Sequence, residues 1–103
     1  MRVGPNPPPT ICDAIQTPST APVNFAVLKD RAEPGVAVSE DEVRKAQRFA
    51  FEKFRLVVEP GGAAALAAAL AGKVPLDERT VITLTGGNTD AADFAAMLRM
   101  TDQ

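Results

Sequence analysis

The sequence contains no histidine, no tryptophan and no tyrosine, and its only cysteine is Cys12. Each absence closes a class of function. Without histidine there is no Ser-His-Asp or Cys-His catalysis and no imidazole metal site. With no tryptophan or tyrosine and a net charge of −2, a nucleic-acid surface would lack both its cations and its best stacking rings. A single cysteine forms no internal disulfide, which fits a reducing compartment, so a cytoplasmic location is expected. No basic-then-apolar leader opens the chain, and a secretory signal is not expected. The longest apolar stretch, residues 61–72, falls short of the roughly 20 residues that span a bilayer, so no membrane partner is expected either.

What remains suits one small domain. At 103 residues, 46% of them hydrophobic, the composition is globular, yet a chain this short buries only about two-thirds of its unfolded surface. It folds without much reserve. Two regimes divide it. Residues 1–24 hold six of the nine prolines (Pro5, Pro7, Pro8, Pro9, Pro18 and Pro22) and show neither helical nor strand periodicity. Proline fixes φ, removes a donor and pushes its predecessor toward extended backbone, so this segment is expected to be a helix-free arm or loop. Residues 25–103 carry the alternating signals of an α/β domain.

Within that second part, Phe25 to Leu28 is apolar and short, ambiguous between a strand and a helical turn. Gly35 to Val38 reads as a brief extended run. Ser39-Glu40-Asp41-Glu42 has the form of a capping box and opens a helix expected over about residues 40–55. Val43, Ala46, Ala50 and Phe54 form its apolar stripe, with Arg44, Lys45, Arg48, Glu52 and Arg55 opposite and Phe49 at the edge. Pro60 suits the first turn of a second helix. That helix is nearly all alanine, with Leu66 and Leu70 one turn apart, and is expected to be buried on several faces. Gly72 and Lys73 end it. Thr80 to Thr85 is the best strand in the sequence, β-branched and without polar alternation, and is expected to be buried on both faces of a parallel sheet. Asp90 and Asp93 open a last helix ending near Met100. One strand is not a sheet. The fold class is therefore α/β with helices packed on an incomplete sheet, and the chain is expected to be part of something larger.

Two constellations carry candidate chemistry. Thr85-Gly86-Gly87-Asn88 directly follows the strand, where α/β proteins bind ligands and where glycines let a backbone approach closely. An ordinary strand-to-helix turn would choose the same residues. Glu59-Pro60-Gly61-Gly62 opens the alanine-rich helix, and a carboxylate there is also what a simple helix cap requires. Nothing near Cys12 argues for an activated thiol. The lysines, Lys29, Lys45, Lys53 and Lys73, are expected to be solvated, and Glu40-Asp41-Glu42 is a helix first turn rather than a metal cage, so no metal site is expected.

Taken in order, TICDAIQTP, VAVSEDEVRKAQRFAFEKFRLVVEPGGAAALAAALAGK and VITLTGGNTD resemble the C-terminal part of pyridoxal-phosphate-dependent serine/threonine dehydratases. These are fold type II enzymes, tryptophan synthase β-like in fold, also called threonine ammonia-lyases and related to serine racemase. The resemblance covers nearly all of residues 10–100, and its most specific parts are VVEPGGAAALAAAL and TGGN. It implies that the Thr85 hydroxyl bonds the pyridine nitrogen of pyridoxal phosphate, that Gly86, Gly87 and Asn88 shape the adjoining wall, and that Glu59 lies close to the same pocket. It implies β-elimination from serine or threonine, giving a 2-oxo acid and ammonia. A neutral hydroxyl leaves the ring a weaker electron sink than a carboxylate would, which suits loss of a β-hydroxyl.

The family's Schiff-base lysine, glycine-rich phosphate loop and acidic divalent-cation site all lie upstream of the matching region. No lysine here has the matching context, so none is assigned a catalytic role and the chain alone is expected to be inactive. The expected partners are the amino-acid substrate of the full enzyme and an N-terminal partner fragment or a further copy of the chain. The rival expectation is a non-catalytic interaction or subunit-like module of the same fold, acting through the alanine-rich helix and an exposed sheet edge.

Overall fold

The computed structural model describes residues 9–15 and 21–101. The described residues form four α-helices: α1 (Pro22–Leu28), α2 (Glu40–Phe54), α3 (Ala64–Leu70) and α4 (Ala91–Met100). Short 3-10 turns lie at Asp13–Ile15 and at Gly61–Ala63, the second running directly into α3. Residues 1–8 and 16–20 of the proline-rich segment lie outside the described residues.

α2 is the frame of the structure. Its N-terminus is the expected capping box: the Ser39 hydroxyl accepts from the Glu42 N–H at 3.1 Å, and Glu42 Oε1 accepts from the Ser39 N–H at 2.7 Å. Val43, Ala46 and Ala50 are fully buried, as their spacing predicts, but Phe54 is half-exposed and Gln47 takes the fourth buried place. The helix ends at Arg55, whose φ of 58° turns the chain away at that point. Phe54 instead meets the ring of Phe49 edge to face, with centroids 5.7 Å apart.

α3 packs on α2 to make the core, in which Val43, Ala46, Ala50, Val58, Ala63, Leu66 and Ala67 join. Alanine buries little area, so most of the apolar stabilisation falls on Val43, Val58 and Leu66, at about 1.5–3 kcal/mol for a fully buried large aliphatic side chain. The expectation of burial on several faces holds for Leu66 to Ala69 but not for Ala65 or Leu70, which face outward. α4 docks on α2 through the ring pair Phe51–Phe94 (5.4 Å) and through Arg48, whose guanidinium donates to the Leu98 carbonyl oxygen at 2.6 Å. A cation on the last carbonyls of a helix satisfies acceptors that have no partner within it. Asp90 caps the other end, accepting from the Ala92 and Asp93 N–H groups.

Other expectations also need correction. Thr80–Thr85 forms no strand, and no strand occurs among the described residues. Its burial alternates instead, with Ile82 and Leu84 half-buried against the core and Val81 89% exposed. That is a single-faced pattern, and a strand needs ladder partners that the described residues do not supply. Phe25–Leu28 resolves as part of helix α1, which begins at Pro22 inside the segment expected to be free of helix. Pro22 sits in the first turn, where its missing N–H costs nothing. Lys73 is not simply solvated: its ammonium reaches Glu42 and the Ala37 carbonyl oxygen, each at 2.7 Å, and ties the end of α3 to the start of α2.

Candidate functional site

The two glycine-rich constellations, more than twenty residues apart in sequence, meet in space. The Glu59 N–H donates to the Gly86 carbonyl oxygen at 2.8 Å, and the Thr85 N–H donates to the Gly62 carbonyl oxygen at 3.3 Å. Glycine is required at two of these positions for space. A Cβ on Gly62 would overlap the carbonyl oxygen of Thr85, and one on Gly86 would overlap the carboxylate of Glu59. Gly86 also has a φ of +74°, a conformation that costs an L-residue roughly 1–2 kcal/mol. Glu59 is thus folded over Gly86 and does not cap the helix entry, where no side-chain cap bond forms. The expectation of a simple cap is corrected. The Glu59 carboxylate and the Thr85 hydroxyl have no hydrogen-bond partner among the described residues, and Thr85 is exposed.

A groove of about 440 Å³ opens beside these turns. Glu59, Pro60 and Gly61 form one edge, Asn88 to Asp90 another, and Arg44 and Gln47 of α2 lie beneath. Thr10, Ile11 and Asp13 close it from the N-terminal segment, and Asp93, Ala96, Met97 and Met100 from α4. Of the sequence-derived candidates, Glu59 and Asn88 line this groove; Thr85, Gly86 and Gly87 do not, although backbone bonds tie them to its edge. The groove is net acidic, with Asp13, Glu59, Asp90 and Asp93 against Arg44, whose guanidinium is shared between Glu40 (3.6 Å) and Asp41 (3.2 Å).

The N-terminal wall is held by Glu40, whose Oε1 accepts from the Ile11 N–H at 2.9 Å. That bond, with help from the Thr10 hydroxyl and Arg44, holds the Glu40 carboxyl below its usual range. The same contact brings Cys12 against the core, where burial, and then the charges of Glu40 and Asp13, push its thiol up despite a hydrogen bond from Thr10 that works the other way. A thiol raised in this way is protonated at neutral pH and is a poor nucleophile.

Comparison with known proteins adds the decisive observation. Residues 2–86 match the family described as pyridoxal-phosphate dependent enzyme. The chain belongs to this family. It is 34% identical over 94 residues to the L-threo-3-hydroxyaspartate ammonia-lyase of Saccharomyces cerevisiae, covering 90% of this chain and 29% of that protein. It is 37% identical over 91 residues to the phenylserine dehydratase of Ralstonia pickettii, with 86% and 28% covered. Among solved structures, the threonine deaminase of T.th. superposes with a TM-score of 0.77 at 36% identity, covering 87% of this chain and 32% of that one. The chain therefore spans under a third of the length of these relatives, and its fold is part of the fold type II pyridoxal-phosphate enzyme fold.

The residues present fit one edge of such a cofactor. A fixed backbone at Thr85 with a free, exposed hydroxyl is what a ring nitrogen needs as a partner. The groove beside the turns offers no phosphate site, since its four carboxylates outnumber Arg44 and none of the four lysines lines it. Gln47, buried beneath the groove, and Glu40, which holds its wall, were not singled out in the sequence as candidates. Gln47 had one usable signal, a polar residue at a helical position between the apolar Val43 and Ala50. Glu40 had none beyond its place in the capping box.

Proposed function

We propose that this chain supplies the ring-nitrogen side of the cofactor pocket in a pyridoxal-phosphate-dependent serine/threonine ammonia-lyase, an enzyme that removes the β-hydroxyl and the amino group of L-serine or L-threonine to give a 2-oxo acid and ammonia. The observation that carries the reading is the pair of stitched turns, Glu59–Gly62 and Thr85–Gly87, which fix the backbone of Thr85 and leave its hydroxyl free. When bound, pyridoxal phosphate supplies an electron sink for the substrate α-carbon. Thr85 would hydrogen-bond its ring nitrogen without a formal charge, and Gly86, Gly87, Asn88 and Glu59 would form the adjoining wall. The names of the relatives, ammonia-lyase and dehydratase, support the reaction class.

On this reading none of the four lysines of the chain carries the cofactor, and that lysine is supplied by the N-terminal portion of the enzyme. Lys29, Lys45, Lys53 and Lys73 are all exposed, and Lys73 is engaged by Glu42. The chain by itself, supplied with pyridoxal phosphate, should release no ammonia from L-serine or L-threonine, and turnover would overturn this assignment. Combined with the N-terminal part of a threonine deaminase, it should restore ammonia release, and Thr85→Asp should strongly alter that rate. An unchanged rate would remove Thr85 from the site. The substrate and an N-terminal portion of the same fold are the partners this reading requires, in a reducing, cytoplasmic setting.

A second reading is a non-catalytic module that pairs with another chain. It is favoured by helix α1, which packs against no other helix among the described residues and exposes Val23, Val27 and Leu28, and by the exposed Val81. On size-exclusion chromatography such a module should oligomerise, whereas a well-behaved monomer that unfolds cooperatively would favour an independent domain and count against the chain being a piece of something larger.

A further inference from the structure

Gln47 is the one polar side chain in the buried stripe of α2, only 2% exposed. A methionine or leucine would fill that space without an amide to satisfy. Its Nε2 donates to the Val58 carbonyl oxygen at 2.9 Å. That oxygen and the Glu59 N–H belong to one planar trans peptide unit, and the Glu59 N–H donates to the Gly86 carbonyl oxygen at 2.8 Å. The peptide plane between Val58 and Glu59 is therefore held at both ends, by α2 through Gln47 and by the Thr85–Gly87 turn through Gly86. Rotation about either neighbouring bond breaks both hydrogen bonds together.

We propose that Gln47 is a positioning residue for the candidate site: by clamping the Val58–Glu59 peptide it sets where Glu59 lies over Gly86 and keeps the Thr85 turn in register with the groove. The inference deepens the function proposed above and rests on it for its catalytic meaning, while the clamp itself does not. Gln47 is in place to be more than a spacer because its second amide atom, Oε1, accepts no bond among the described residues and the residue borders the groove.

Amide hydrogen exchange on the 103-residue chain tests this, with Phe94 in α4 as the reference amide, since its N–H bonds only to Asp90. Gln47→Met keeps the volume and removes the donor. Protection of the Glu59 amide should fall about tenfold relative to Phe94, the effect of losing one hydrogen bond of ordinary strength. Equal loss at both amides, or no loss at Glu59, would make Gln47 a core filler and overturn the proposal. Gln47→Glu gives a second, independent answer, because a protonated carboxyl donates to Val58 and an ionised one does not. Arg44 on α2 and Asp13, Glu59, Asp90 and Asp93 around the groove are the charged groups near it. Glu59 protection in that variant should rise as pH falls, and a pH-independent value would contradict the clamp. If the wild-type chain shows no cofactor contact at Thr85, the proposed function fails while the exchange data still decide Gln47.

Discussion

Gly62→Ala is the substitution whose consequence the geometry determines most sharply. A Cβ at residue 62 would overlap the Thr85 carbonyl oxygen, sit 2.6 Å from its carbon and 3.2 Å from Val58 Cγ1. Two of these three neighbours are backbone, and the third is a buried valine, so none is a flexible tip that can swing aside. The turns must separate. Separation removes the Thr85–Gly62 bond and strains the Glu59–Gly86 bond, together about 1–3 kcal/mol. Overpacking beside Val58 adds about 1–3 kcal/mol. A loss of about 2–6 kcal/mol is expected, against a total stability of about 5–15 kcal/mol for a domain, and about 4–8 °C of melting temperature goes with each kcal/mol in a chain this size. Gly35 is the control, since nothing lies within 4 Å of a Cβ there and its φ is not positive. Gly35→Ala should be neutral or stabilise by up to about 1 kcal/mol through the unfolded state. Urea unfolding of the two variants measures both. A Gly62→Ala chain within about 0.5 kcal/mol of wild type would mean that the two turns are not in contact.

Two further outcomes follow from the helix ends and the carboxylates. Asp90→Ala removes the acceptor for two N–H groups at the start of α4 and should cost about 1 kcal/mol, read as an earlier urea midpoint with an unchanged slope. Glu40 and Glu42 are both held below the usual carboxylate range, by the Ile11 N–H and by Lys73 respectively. Depressed pKa values mean that their stabilisation is complete above the ordinary carboxylate pKa and is lost as pH falls through the lowered values. The chain should therefore resist mild acid and loosen below that range. Glu40→Ala should show a shallower acid dependence than wild type, and an identical pH profile would remove the Glu40–Ile11 contact.

The elements that could be read from the sequence are those fixed by neighbours a few residues away. Ser39 and Glu42 form their box, Asp90 caps α4, and Val43, Ala46 and Ala50 are buried because short-range chemistry decides each. Thr80–Thr85 could not be read the same way. Its β-branched residues describe a strand, but a strand exists only with partners, and the described residues place none beside it. The site was legible as two motifs and not as one object. That Glu59 lies on Gly86, and that Gly62 meets Thr85, are long-range contacts with no local signature beyond the glycines themselves. Gln47 shows the same limit, since its position was visible on the helix while its purpose depends on a carbonyl eleven residues away.

The most direct measurement is a nuclear magnetic resonance titration of the chain with 4-deoxypyridoxine, which has the ring nitrogen but neither an aldehyde to react with exposed lysines nor a phosphate for the carboxylates of the groove to repel. If Thr85 faces the ring, amide shifts should move at Thr85, Gly86 and Glu59 in wild type and stay still in Thr85→Val, whose fold is otherwise retained. Shifts scattered over the surface, or a response at these three residues that Thr85→Val leaves unchanged, would contradict the assignment of this turn to the cofactor.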